Sequence, residues 1–140
     1  MTLYRKFGQG VVVLCCIAMF ALAVVYVFTN GISHVDSDSG EVIYFFQYND
    51  FQGALLVALG FLISAVANVC TVEFPQVATG VSLLPLALTF YEMAVGNLNF
   101  IAAAVVLLLA LIHMASNALE WYDMSQTKKQ ASAETEQTKE

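Results

Sequence analysis

The chain of 140 residues is 59% hydrophobic and only 11% charged, and its formal net charge is −6. Soluble domains are about 45–50% apolar and about 25% charged, so this composition favours a membrane protein over a soluble domain. An acidic chain without a basic stripe is also not expected to bind nucleic acid, since that binding depends on basic residues that neutralise phosphates.

The basic residues are confined to the two ends of the chain. No lysine or arginine occurs between Phe7 and Thr127. A soluble protein needs charges of both signs over its surface. We therefore expect the middle of the chain to face lipid rather than water.

Four segments are apolar over a length that can cross the hydrocarbon core of a bilayer, which takes about 20 helical residues. The links after the second and third segments are short, which makes the helices they join antiparallel neighbours. We predict an all-α membrane protein, an antiparallel bundle of four transmembrane helices formed by residues 1–124. The predicted helices cover residues 8–28, 52–70, 76–95 and 99–119.

The ends of the chain predict its orientation. Arg5 and Lys6 flank the first helix, and Lys128 and Lys129 follow the fourth. Basic residues are enriched on the cytoplasmic side, so we expect both termini in the cytoplasm, with the protein in the plasma membrane or a bacterial inner membrane. Residues 125–140 are polar without a periodic apolar face, which predicts a disordered cytoplasmic tail.

The long first loop is acidic and ends in an aromatic run, EVIYFFQY. Asp38 and Glu41 have the spacing of a relaxed capping box, which predicts a helix start. The aromatic residues after them suit the membrane interface or an outward extension of the second helix. An EF-hand would need glycine and glutamate at other positions, and His34 lacks the further ligands of a zinc site. We expect no metal and no cofactor.

The third predicted helix contains two unusual residues. Glu92 lies about one turn from its outer end, where a carboxylate can reach water; copies of it in a homo-oligomer would attract cations at a pore mouth. Pro85 removes a backbone hydrogen bond and predicts a kink near the middle of the helix. For both Glu92 and Pro85, the sequence leaves open a role in the structure of the helix and a role in transport.

Polar residues of the fourth helix lie on one face, because their spacing follows the helical repeat. This stripe near the cytoplasmic end suits either a polar vestibule with a titrating histidine or hydrogen bonding between helices. Asn68 near the end of the second helix is expected to face it. The stripe consists of His113, Ser116, Asn117 and Glu120.

Gly60 and Ser64 form a pair of small residues one turn apart in the second helix. Such pairs allow helix backbones to approach closely, either inside the bundle or against another subunit. No nucleophile–base motif or nucleotide-binding motif occurs in the sequence. We expect no enzymatic activity.

Two functions remain open from the sequence. The first is a non-enzymatic accessory or scaffold subunit that packs on a larger membrane partner. The second is a homo-oligomeric channel or carrier for a small cation or solute, favoured by Glu92, Pro85 and the polar stripe. Its weakness is that no ionisable residue is expected at the midplane, where carriers bind their substrates.

Overall fold

The structure is a computed structural model that describes residues 3–139, with the side chains of residues 3–136. It is 81% helical and has four helical segments that are long and apolar enough to cross a membrane. The described elements are α1 (Leu3–Asn30), β1 (Ser33–Val35), β2 (Val42–Tyr44), a 3₁₀ turn (Phe45–Gln47), α2 (Asn49–Cys70), α3 (Pro75–Val81), α4 (Leu83–Ala94) and α5 (Phe100–Lys139).

The helices form a four-cornered bundle in which α3 and α4 together make the third segment. The first segment, α1, packs on α2 and α5, and the third segment packs on the same two helices. Consequently α1 and the third segment occupy opposite corners. The bundle has two ends: the tail end holds Arg5 and Glu120, and the hairpin end holds the β-hairpin and Glu92.

The first, third and fourth segments each bury one narrow stripe whose members lie three or four residues apart, whereas α2 buries a broader face. This spacing is that of a helix seam packed in a bundle. In α1 the buried residues after the first turn are apolar, but in the third segment the buried residues are small or polar. The third stripe consists of Pro75, Ala78, Ser82, Pro85, Thr89 and Glu92, and that of α5 of Ala103, Val106, Ala110, His113, Asn117 and Glu120.

The third segment is interrupted at Ser82, three residues before Pro85. Proline lacks the N–H that would bond the carbonyl of Val81, four residues earlier. The backbone at Ser82 keeps right-handed helical angles, with φ −65° and ψ −15°. The regular hydrogen bonding of the helix is therefore interrupted at Ser82, but α3 and α4 together remain one segment that crosses the bundle.

The first loop folds as an antiparallel hairpin, so the predicted helix start at Asp38 is wrong. Asp36 organises the turn instead: its carboxylate accepts from the Asp38 backbone N–H at 3.0 Å and from the Ser39 hydroxyl at 3.1 Å. Gly40 has φ +73°, a left-handed conformation that glycine adopts without strain. The turn brings the two flanking segments together, so that they pair as antiparallel strands. The helix α2 begins only at Asn49.

The last helix is longer than the predicted fourth helix, since α5 continues through Lys139. We expected residues 125–140 to be disordered. The segment is rich in alanine, glutamate, glutamine and lysine, all of which favour helix, so the helix extends past the bundle. Its described side chains beyond residue 126 are exposed.

Candidate functional site: the buried polar layer at the tail end

Arg5 is the centre of a buried polar cluster at the tail end, and its side chain is fully buried. Its Nη1 donates to Glu120 Oε2 at 3.0 Å, which forms a buried ion pair between α1 and α5. Its Nε donates to Asn68 Oδ1 at 3.0 Å, which joins the cluster to α2. One arginine therefore bonds to two other helices.

The same guanidinium caps the end of α2. Nη2 donates to the carbonyl oxygens of Asn68 (2.8 Å) and Thr71, and Nη1 donates to that of Val72 at 2.9 Å. Carbonyls at a helix C-terminus lack intrahelical donors and carry partial negative charge. Arg5 supplies both the donors and the positive charge that this helix end requires.

His113 occupies the next layer of the bundle and is fully buried. Its Nδ1 lies 3.1 Å from the carbonyl oxygen of Gly8, and its Nε2 lies 2.7 Å from Ser64 Oγ. A carbonyl oxygen only accepts, so in the neutral imidazole Nδ1 carries the proton and Nε2 accepts from the serine hydroxyl. His113 thereby joins α5 to α1 and α2.

The Ser64–His113 contact has the distance of a nucleophile and its general base. Catalysis also requires that a substrate reach the nucleophile. Ser64 is 1% exposed and His113 is fully buried, so neither is accessible in this conformation. The pair acts as an interhelical hydrogen bond, and the absence of enzymatic activity stays a prediction.

Ser116 and Asn117 complete the stripe that the sequence indicated. Ser116 Oγ donates within its own helix to the carbonyl of Ile112 at 2.9 Å. Asn117 is fully buried, and its Nδ2 lies 3.4 Å from the carbonyl oxygen of Ala78 in α3. Asn117 therefore faces the third segment, whereas His113 bonds to α1 and α2 and Glu120 bonds to α1.

Glu92 lies at the opposite, hairpin end and points into the bundle, with 4% of its surface exposed. Its Oε2 accepts from Asn97 Nδ2 at 2.7 Å. A Cβ placed on Gly53 would lie 2.7 Å from the same oxygen. Glycine at this position gives the carboxylate room against α2, so Glu92 faces α2 rather than the outer surface of the bundle.

The two polar ends are separated by a packed apolar middle. Ala78 and Glu92 are about 20 Å apart along the third segment, at 1.5 Å per residue. Between these levels, the side chains of Val12, Phe61 and Ala110 are fully buried. The hydroxyl of Thr89, buried on the third segment, donates to the carbonyl of Pro85 in its own helix.

The small-residue pair of α2 is used inside the bundle. Gly60 packs against α4: a Cβ on it would lie 2.8 Å from Leu88 Cδ1 and 3.4 Å from Pro85 Cα. Ser64 faces α5 through His113. The sequence left open whether this pair packs inside the bundle or against another subunit. In the structure, both residues pack inside the bundle.

The outer surface of the described residues has several clefts, of which two differ clearly in polarity. A polar cleft of about 580 Å³ under the hairpin is lined by Thr29, Asn30, His34, Tyr48, Asn49 and Asp50. An apolar groove of about 660 Å³ between α4 and α5 is lined by Leu83, Leu86, Ala87, Phe90, Tyr91, Ala94, Leu107 and Leu111. Within the described residues, no group of three or more histidine, cysteine or acidic side chains is placed to hold a metal ion.

Arg5 is the member of the tail-end cluster that sequence reasoning missed, because it was interpreted only as an orientation signal. In the structure Arg5 shares the buried face of α1 with Gly8, Val12 and Cys15, but the uniformly apolar run that follows it gives no period from which this face could be read. Asn68 was expected to face the stripe of α5, and the structure brings it to Glu120 through Arg5.

Comparison of the chain with models of known protein families, with curated proteins and with solved structures finds no match.

Proposed function

We propose that the chain is a small integral membrane protein that serves as a non-enzymatic accessory or scaffold subunit packed on a larger membrane partner. Its four helices cross the plasma membrane or a bacterial inner membrane, with both termini in the cytoplasm. The observation that carries this proposal is the distribution of polarity: most buried polar side chains are hydrogen-bonded within the bundle, and the outward faces carry large apolar side chains.

The outward faces support the membrane assignment. Large apolar side chains are exposed along every segment, among them Ile17, Leu62, Phe90 and Leu108. In water such surfaces are costly, whereas in a bilayer they contact lipid tails. Basic residues near the start of α1 and after the apolar part of α5 favour the cytoplasmic placement of both termini.

The buried polar groups favour a scaffold over a catalyst or a pore. Arg5 and Glu120 neutralise each other, and His113 and Ser64 bond to each other. Glu92 points inward, so copies of it would not line a central pore formed by the outer faces of several bundles. What remains available for interaction is the surface of the helices.

The groove between α4 and α5 is the surface that best suits a partner. It is a shallow groove lined by apolar side chains of two adjacent helices. Helix association in membranes depends on close packing of such complementary surfaces, since lipid tails are as apolar as the side chains. A partner helix lying in this cleft would gain contacts that a flat helix face does not offer.

Site-specific photo-crosslinking tests this surface. A photoreactive residue replaces Phe90, which is 59% exposed in the groove, and, as a matched control, Ile17, which is 62% exposed on α1 at the opposite corner. Irradiation of the native membrane should give one discrete, heavier adduct from position 90 and not from position 17. Equal labelling at both positions, or only dimers of the chain itself, would count against the accessory role.

The alternative function is a homo-oligomeric channel or carrier for a small cation or solute. It is favoured by the inner stripe of the third segment, where Ser82, Thr89 and Glu92 are buried at helical spacing. Polar residues on an interrupted helix line the substrate sites of some transporters. The apolar side chains packed between the two ends of the bundle weigh against a continuous path.

Cation flux separates the two functions. Purified protein in liposomes is compared with Glu92→Gln, which keeps the size of the side chain and removes its charge. The accessory role predicts no protein-dependent leak and no difference between the two proteins. A leak that Glu92→Gln reduces, while Asp50→Asn at the same end leaves it unchanged, would establish the channel alternative.

A further inference from the structure

The Asn117 side chain has fewer hydrogen bonds than a buried amide requires. It is fully buried, and its Oδ1 has no hydrogen-bond partner among the described residues. Its Nδ2 lies 3.4 Å from the carbonyl oxygen of Ala78, beyond the usual 2.7–3.2 Å of an N–H···O bond. Buried polar atoms in native proteins are nearly always bonded to protein or to ordered water.

Exchanging the oxygen and nitrogen of the amide does not resolve this shortage. The amide oxygen would then face the carbonyl oxygen of Ala78, and two acceptors cannot bond to each other. The missing partner of Asn117 in the observed orientation is therefore a donor.

The surroundings of Asn117 contain further acceptors. The carbonyl of Ala78 already accepts from the Ser82 N–H at 3.0 Å, in the turn where α3 ends. In the same turn, the carbonyl of Val81 lacks its usual donor four residues on, because that residue is Pro85. Asn117 thus contacts the third segment at Ala78, three residues before the carbonyl that lacks its donor because of Pro85.

We propose that one water molecule is bound between α5 and the turn at Ser82, where it donates to Asn117 Oδ1 and to a main-chain carbonyl of that turn. Buried waters typically make about three hydrogen bonds to groups that otherwise lack them. A cation suits the site less well, because an Asn117 N–H faces the turn and the carboxylate of Glu120, one turn along α5, is bonded to Arg5. The water would bridge α5 to the interrupted third segment.

Transfer of magnetisation from water tests the site directly. The full chain, deuterated and ¹⁵N-labelled, is studied by NMR in lipid nanodiscs, and transfer from water to the Asn117 side-chain amide is measured. The backbone N–H of Ala110, a fully buried residue two turns away on α5, is the internal reference. Transfer at Asn117 should exceed that at Ala110 several-fold; equal transfer would overturn the proposal.

Thermal unfolding of variants provides the second test. Asn117→Leu removes an acceptor that the water satisfies and should lower Tm by several degrees, whereas Ser116→Ala removes a hydroxyl bonded only within its own helix and should change Tm little. A higher Tm for Asn117→Leu would mean that Asn117 Oδ1 has no partner in the native protein, and this result would overturn the proposal of a bound water. A cation would be assigned instead if the Tm of the native chain is higher in a sodium salt than in a choline salt and if Asn117→Leu abolishes this difference. If Asn117→Leu does not fold, the NMR comparison alone decides.

Discussion

Arg5 connects α1 to two other helices through a single guanidinium group. Its bonds to Glu120, to Asn68 and to the carbonyls at the end of α2 are all made at the tail end of the bundle. Removing one partner of a buried pair leaves an uncompensated charge, which is far more costly than replacing both partners by apolar residues. The arginine is thus expected to matter more for stability than its place near the end of a helix would indicate.

We predict that Arg5→Met lowers the free energy of unfolding by about 3–5 kcal/mol, the cost of breaking a buried ion pair. The exposed neighbour Lys6 provides the matched control, and Lys6→Met should change stability by less than about 0.5 kcal/mol. Unfolding in mixed detergent micelles, followed by circular dichroism, measures both.

A double-mutant cycle tests the coupling of the pair. Glu120→Leu combined with Arg5→Met should destabilise the bundle less than the sum of the single variants, because no charge is then left unpaired. Strict additivity would show that the two residues act independently and would contradict the ion-pair account.

At the scale of the elements, close packing between α1 and α5 depends on a glycine. A Cβ on Gly8 would lie 2.9 Å from Ser116 Cβ, whereas a Cβ on Gly10 in the same helix meets nothing within 4 Å. The first contact is between two rigidly placed atoms, so the helices would have to separate. The two glycines therefore form a natural pair for testing helix packing.

We predict that Gly8→Ala destabilises the protein by about 1–3 kcal/mol through overpacking. Gly10→Ala should be neutral or stabilise by up to about 1 kcal/mol, because alanine has the higher helix propensity. Thermal unfolding of both variants in the same detergent measures the difference. Equal stability of the two would show that α1 and α5 are not packed as described.

The number and approximate positions of the helices were predictable from the sequence because each segment is apolar over a full crossing length. The inward face of α1 was not, since almost every residue between Gly8 and Phe28 is apolar and a uniform run has no visible period. In α5 the polar residues provided the contrast that α1 lacks, so the stripe from His113 to Glu120 was recognised.

The hairpin and the orientation of Glu92 lay beyond sequence reasoning for different reasons. Asp38 and Glu41 satisfy a local capping pattern, but the turn made by Asp36 and Gly40 pairs the flanking residues as strands instead. Glu92 lies near the end of α4, but its inward direction depends on the space that Gly53 leaves across the bundle. Such long-range packing is not encoded in local spacing.

At the scale of the whole molecule, the bundle has an apolar core between two ends that hold buried polar side chains. Its outward faces also carry large apolar side chains. An arrangement of this kind suits a protein whose function depends on the surface it offers to other membrane helices. We therefore expect the chain to work in a complex with a larger membrane protein.

Native mass spectrometry of the protein, extracted in mild detergent from its own membrane, tests that claim most directly. The accessory role predicts a mass larger than 15.2 kDa by that of a second, larger polypeptide, present at a fixed stoichiometry. A mass equal to a closed ring of identical copies, or to the chain alone, would contradict it.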